Sequence, residues 1–263
     1  MNDLHAYELD PSIAEIYDQS ETYDDDVTLL RRLIGARQGL RILEPFCGTG
    51  RMLLPLAADG HTLVGLDRAA AMLARARAKL AELPPAAQGR VTLTQADVLH
   101  AAWPTGHDLV ILGGNCLYEL ATVEEQAACI ARAAGALLPG GHLYLDNNHM
   151  EGELDPAWRN PVAGPAFPRG VCADGTRVEA TSRTVWYDAP RRLARFCREI
   201  EITRPDGAPL RKILCEQKHP PSYDEMAGWL AANGFRMRAT YGARDGRPYT
   251  PDAPRAIFWA QKV

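Results

Sequence analysis

The feature that constrains this chain most is an alternation between residues 40 and 145, where short apolar runs take turns with longer Ala/Leu/Arg stretches of helical period. "LRILEP" (40–45) reads as a strand, "GRMLLPLAADG" (50–60) as a helix and "HTLVGLD" (61–67) as a second strand. "AAAMLARARAKLAEL" (69–83) is a helix with Met72, Leu73, Ala76 and Leu80 on one face and Arg75, Arg77 and Lys79 largely on others. Three more strands follow in "RVTLTQAD", "HDLVILGG" and "HLYLDNN", the last preceded by the helical "EEQAACIARAAGALLPGG". Repeated β–α units of this kind imply a parallel sheet wound on both faces, which takes its ligands at the carboxyl ends of the strands.

After residue 150 the texture changes. "EGELDPAWRNPVAGPAFPRG" is a proline-rich connection, and alternating runs then follow in "TRVEATSRTVWYD", "RRLARFCREIEITRPDG" and "PLRKILCEQKHPP". The turns "DAPRR" and "RPDGAP" are hairpin signals, so residues 171–218 read as an antiparallel ribbon inserted into the α/β unit. The chain resumes with a helix, "SYDEMAGWLAANGF", and two closing strands, "RMRATYG" and "RAIFWAQK".

The unusual residues stand at strand ends, beginning with "RILEPFCGTGR" (41–51). A glycine loop after a strand can hold a phosphate, a dinucleotide or a sulfonium nucleoside. The first would need Gly-Lys-Ser/Thr, which is absent. The dinucleotide fingerprint wants a small residue where Leu53 follows Gly48 and Gly50. Glu44, just ahead of the turn, repels a pyrophosphate and suits a ligand with a sulfonium and an ammonium group. Asp67 ends the second strand, where an acid accepts hydrogen bonds from vicinal ribose hydroxyls; it serves either nucleoside reading. Asp97 ends the third, placed for the exocyclic amine of adenine, with the N–H of Val98 for a ring nitrogen.

These pieces together resemble a class I S-adenosylmethionine-dependent methyltransferase of the group that modifies small molecules. The resemblance runs over residues 12–150 and 219–263: "LEPFCGTGR", "LVGLDRAAAMLARAR", "QADV", "HDLVILGGNCLYEL", "LLPGGHLYLD", and the closing "LAANGFRMRATYG" and "RAIFWAQK". Pro45 is a departure, standing where many members carry a small or acidic residue. The resemblance implies an α/β fold: a Rossmann-like, seven-stranded, doubly wound sheet with an antiparallel last strand, and an inserted antiparallel β-ribbon as lid. It implies one cofactor-binding domain of residues 1–150 and 219–263, with 1–38 as a helical N-terminal cover, and residues 151–218 as the substrate lid. The implied cofactor is S-adenosylmethionine, with S-adenosylhomocysteine as product and no metal. Its implied ligands are Tyr17 and Tyr23 from the cover, Glu44, Phe46, Gly48, Thr49, Gly50 and Arg51 from the loop, Asp67, Arg68 and Met72 after the second strand, Asp97 and Val98 after the third, and Gly113 and Asn115 after the fourth.

Methyl transfer from a sulfonium is an in-line displacement with a good leaving group, so alignment and exclusion of water do much of the work and a base is needed only for an acceptor that must lose a proton. The acceptor site is expected beyond strands four and five. Asn115, Tyr118, Asn147, Asn148 and His149 stand there, with His149 and Tyr118 as the catalytic candidates, and Trp186 and Arg195 are candidate contacts from the ribbon. No strong base or metal cluster is evident, which favours nitrogen over oxygen as the atom methylated. An NAD-dependent oxidoreductase and a catalytically silent nucleoside-binding module are the alternatives.

Composition narrows the partners. With 29 Lys+Arg against 33 Asp+Glu the net charge is −4, weak for a protein that competes for a polyanion, so no nucleic-acid partner is expected. The six cysteines show no C-x-x-C pair and read as free or buried thiols. No secretory signal or membrane-spanning run is apparent, and a cytoplasmic monomer or homodimer acting on a small-molecule acceptor is the expectation.

Overall fold

The computed structural model describes residues 5–263; residues 1–4, the start of the expected N-terminal cover, lie outside them. Three helices come first, α1 (Ala6–Leu9), α2 (Pro11–Ser20) and α3 (Asp25–Ile34). Next come β1 (Arg41–Glu44), α4 (Leu53–Ala58), β2 (Thr62–Asp67), α5 (Ala70–Ala81), α6 (Pro85–Gln88), β3 (Val91–Gln95), β4 (His107–Leu112), α7 (Val123–Ala136) and β5 (Leu137–Asn148). Four strands then form a separate sheet: β6 (Gly164–Val171), β7 (Arg177–Asp188), β8 (Leu193–Thr203) and β9 (Leu210–Lys218). The chain closes with α8 (Tyr223–Ala232), β10 (Phe235–Tyr241) and β11 (Arg255–Lys262).

Among the described residues the large sheet has seven strands in the order β10-β11-β5-β4-β1-β2-β3. Strands β1 to β5 pair in parallel, and β11 runs antiparallel between β10 and β5. This is the expected fold class. The two-residue period of a strand sends alternate side chains to opposite faces. Val110 and Leu112 of β4 therefore join Ile130 of α7 and Met226 of α8, while Leu109 and Ile111 join Leu29 and Leu30 of α3 and Leu56 of α4. Both faces are dry, which is why these strands read as apolar runs. Side-chain caps fix the helices on the first face. Thr122 accepts the N–H of Glu125 at the start of α7, and Ser222 and Glu225 form a reciprocal capping box at the start of α8.

Two boundaries depart from the sequence reading. "LLPGG" belongs to β5 and pairs Leu137 with His107, so the fifth strand starts five residues before the expected His142. The proline-rich connection carries strand β6, giving a four-stranded sheet, β6-β7-β8-β9, where a ribbon over 171–218 was expected. Cys197 and Cys215 sit opposite each other on β8 and β9 and form a disulfide, against the expectation of six unpaired thiols.

The small sheet covers its inner face with the N-terminal helices. Val178, Ala180, Ile200 and Ile202 pack on Ala6 and Ile16, while Ala14 on the other side of α2 meets Ala69 and Met72. Helix α2 is thus wedged between the small sheet and α5. No helix among the described residues is long and apolar enough to cross a membrane.

Candidate functional site

A cleft lies beyond the carboxyl ends of β1, β2 and β4, and its walls include Tyr17, Glu44, Phe46, Gly48, Arg51, Asp67, Arg68, Met72, Asp97, Val98 and Gly113. The backbone turn after β1 depends on glycine. Gly48 and Gly50 sit at φ +52° and +80°, and a Cβ on Gly50 would stand 2.9 Å from the Leu54 side chain. The turn is closed by hydrogen bonds from the Gly50 N–H to the Cys47 carbonyl and from the Gly48 N–H to Oδ2 of Asp67. Asp67 also accepts the Ala69 N–H at 2.8 Å, so it ties the loop to the second strand while facing the cleft; burial nonetheless holds its carboxyl above the ordinary range, against the pull of those two donors.

Glu44 is the most informative group here. It is 5% exposed, and its Oε2 is buried with no hydrogen-bond partner. Burial pushes its pKa up to about 8; the neighbouring Arg51 pulls it down, and Asp26 and Asp67 push it up. A buried, partnerless carboxyl oxygen in a cleft wall is costly unless something brings it a proton or a positive charge. The nearby guanidinium does not fill that role, because Arg51 forks onto Asp26 at 2.8 and 2.7 Å. A cationic ligand therefore fits this position, and a pyrophosphate does not.

Asp97 divides its two oxygens. Oδ1 accepts the Leu99 N–H at 2.9 Å and holds the turn after β3, and Oδ2 lies 3.9 Å from Arg68, which also pairs with Glu8 of α1. Gly113 lets the backbone end of β4 approach Met52, since a Cβ there would lie 2.6 Å from its sulfur. Asp67, Asp97 and the apolar walls Phe46, Met72 and Val98 thus bring two carboxylates and an apolar slot into one cleft.

Several expected contacts stand elsewhere. Tyr23 does not line the cleft: it is sandwiched between the guanidiniums of Arg51 (4.1 Å) and Arg244 (4.3 Å). The Thr49 hydroxyl donates to Asp18, which Arg75 and Lys79 also hold, so it secures the loop to α2 and α5. Asn115, at φ +63°, uses its carbonyl oxygen to accept the Asn148 N–H and a guanidinium N–H of Arg255. Asn147 is fully buried and bonds the Asn148 carbonyl. His149 turns both ring nitrogens away from the cleft, Nδ1 to Glu151 (2.9 Å) and Nε2 to the Ala253 carbonyl (2.8 Å). Its environment is that of a side chain pinning two loops together. Trp186 is 46% exposed on the small sheet and lines neither cleft.

Tyr118 and Arg195 do come together, in a second cleft with His5, Glu119, Ala121, Glu216, Gln217 and Lys218, between the turn after β4 and strand β9. Burial lifts the Tyr118 phenol to about 12, so it is a hydrogen-bonding group and not an ionised base. His5 and Glu119 line both clefts, and the two spaces therefore adjoin.

Sequence reasoning missed His5, Tyr7, Met52 and Glu119 in these walls, and Asp26, Arg244 and Arg255 behind them. An acid amid the apolar "CLYEL" was a usable sign for Glu119. The Asp26–Arg244 and Asp146–Arg244 pairs join segments far apart in the chain, and no local pattern announces them. Among the described residues no group of three or more His, Cys, Asp and Glu side chains is placed to hold a metal ion.

Residues 42–141 match the family model of the methyltransferase domain. A curated relative, the carboxy-S-adenosyl-L-methionine synthase of Chromohalobacter salexigens, is 32% identical over 128 residues, 46% of this chain and 45% of its own length. The chain thus spans under half of that relative. A solved S-adenosylmethionine-dependent methyltransferase from Clostridium acetobutylicum superposes with a TM-score of 0.72 at 13% identity, covering 95% of this chain and 98% of the other. An amino pentose methyltransferase from Micromonospora echinaspora, solved with S-adenosylmethionine bound, superposes at 0.64 and 23% identity over 94% and 97% of the two chains.

Proposed function

We propose, from the premise that this chain belongs to the class I S-adenosylmethionine-dependent methyltransferases, that it moves a methyl group from S-adenosylmethionine to a nitrogen of a small polar metabolite. One observation carries the reading: three carboxylates at the tips of β1, β2 and β3 line one cleft, and that of Glu44 has an oxygen with no partner. When bound, the cofactor supplies a methyl group on a positively charged sulfur that leaves as a neutral thioether.

In this reading Glu44 receives the ammonium, Asp67 the ribose hydroxyls, and Asp97 with the Val98 N–H the adenine edge. Phe46, Met72 and Tyr17 exclude water from the transfer path, which leaves alignment to supply much of the acceleration. The small sheet, within residues 151–218, serves as the lid over the acceptor, and Tyr118 and Arg195 contact it. Nitrogen is favoured because the amino pentose enzyme, which shares the fold along nearly the whole chain, acts on an amino sugar by its name.

Calorimetry with S-adenosylmethionine and with NAD tests the cofactor. Micromolar binding of the first alone is expected, and Asp67→Ala should weaken it roughly 10- to 100-fold, the scale of losing hydrogen bonds to a charged group. Preferential binding of NAD would return the chain to the oxidoreductases. Transfer of labelled methyl groups to primary amines, D-glucosamine and other amino sugars among them, against matched alcohols and phenols then tests the acceptor atom.

A further inference from the structure

We propose that His5, positioned by Glu119, is the general base that takes the proton from the acceptor nitrogen, with the acceptor seated in the cleft between the turn after β4 and strand β9. The inference rests on the methyltransferase reading above and adds to it a catalytic residue other than the expected His149 and Tyr118.

His5 lies immediately before α1, where its backbone N–H bonds Oε2 of Glu8 at 3.0 Å, so the start of the helix fixes its place. Its side chain lines both the cofactor cleft and the acceptor cleft. Nδ1 faces Oε2 of Glu119 at 3.3 Å and Oε1 of Glu216 at 3.8 Å. A carboxylate on Nδ1 sets the tautomer that leaves Nε2 as the acceptor and then stabilises the imidazolium that forms, the arrangement by which a histidine serves as a base elsewhere.

Glu119 suits that role. It belongs to the one-turn 3-10 helix Cys116–Glu119, directly after the carboxyl end of β4, where a transferring methyl group would pass. Burial alone would raise its carboxyl, but Lys218, His5 and Arg198 outweigh it and hold the pKa at about 2. The charges that face the imidazole are Glu119 from this turn, Glu216 from β9 and Arg68 from the segment after β2. Tyr118 and Gln217 offer neutral hydrogen-bonding groups to the rest of the acceptor.

The step balances simply. The nitrogen lone pair forms the new N–C bond, the methyl carbon's bond to sulfur breaks with its electron pair staying on sulfur, and the proton shed by nitrogen goes to Nε2 of His5. S-adenosylhomocysteine leaves uncharged, and the proton on His5 passes to solvent.

The test uses the full chain. His5→Gln should lower turnover of D-glucosamine, or of the best amine in the labelled-methyl assay, roughly 100-fold, while S-adenosylmethionine affinity stays within about twofold of the unaltered protein. Glu119→Gln should move the titration of the His5 ring, followed by NMR in the protein alone, downward by about one pH unit, and the rising limb of the pH–rate profile should move with it. Unchanged turnover in His5→Gln overturns the proposal but leaves the methyltransferase reading intact, as does a His5 titration indifferent to Glu119→Gln. Normal cofactor binding without transfer to any amine overturns the acceptor reading and the base role together.

Discussion

The two sheets of this protein handle charge in opposite ways. In the seven-stranded sheet both faces are covered, so a charged side chain at a strand tip is buried: Asp146 is 0% exposed at the end of β5 and Glu44 5% at the end of β1. In the four-stranded sheet one face is covered, and β7 alternates buried Val178 and Ala180 with exposed Arg177, Glu179 and Thr181. An exposed charge needs no partner, because water solvates it. A buried one must have a counter-charge, a proton or a ligand. For that reason the partnerless oxygen of Glu44 carries functional information, whereas unpaired charges on the outer face of the small sheet carry none.

The largest expected effect tests this contrast directly. Asp146 accepts Arg244 Nε at 2.8 Å and also contacts Arg255. Asp146→Ala removes the buried carboxylate that Arg244 and Arg255 share, and should cost about 3–5 kcal/mol of stability. Arg211 of the small sheet pairs with Glu201 at the surface, where water screens the pair, so Arg211→Ala should cost well under about 1 kcal/mol. Denaturant melts of the two variants would read the difference, and equal losses would break the comparison.

A smaller effect concerns the proton on Glu44. Its pKa of about 8 lies above the ordinary carboxylate range, so in the protein without ligand the group is neutral near pH 7. The stability it contributes is fully present below that ordinary range and is lost as pH rises through about 8. Binding a cation reverses the preference. Cofactor affinity should therefore rise with pH towards 8, and complex formation at pH 7 should release on the order of one proton, measurable by calorimetry in buffers of different ionisation heat. Glu44→Gln should abolish that release and weaken binding. A proton count unaffected by the substitution would remove Glu44 from the ligand shell.

The same division explains which features could be read from sequence. A sheet covered on both faces writes apolar strands in alternation with helices, and its acids stand out at the tips, so β1 to β5, Glu44, Asp67 and Asp97 were legible. Strand β6 was not, because Pro165 and Pro168 argue against a strand; an edge position tolerates them, and β6 is an edge. The Cys197–Cys215 bond depends on the register of β8 with β9, which spacing alone does not reveal. The polar "DNNHM" was misleading for a related reason. Its residues serve the junction of β5 with β11 and the Ala253 loop, a contact that appears only when the last strand returns to the middle of the sheet. His5 was invisible because its meaning lies in Glu119 and Glu216, more than a hundred residues away.

The smallest expected effect fixes which residue of the small sheet meets the acceptor. Trp186 is the sort of residue that sequence reading assigns to a substrate pocket, and it is 46% exposed, outside both clefts, whereas Arg195, its register partner on β8, lines the second cleft. Trp186→Ser should therefore leave KM for the acceptor within about twofold of the unaltered protein, the range of an ordinary surface change. Arg195→Ser should raise KM with little change in kcat, the mark of binding lost equally from ground and transition states. If the tryptophan variant is the one whose KM rises, the acceptor sits against Trp186 and the second cleft is not its site.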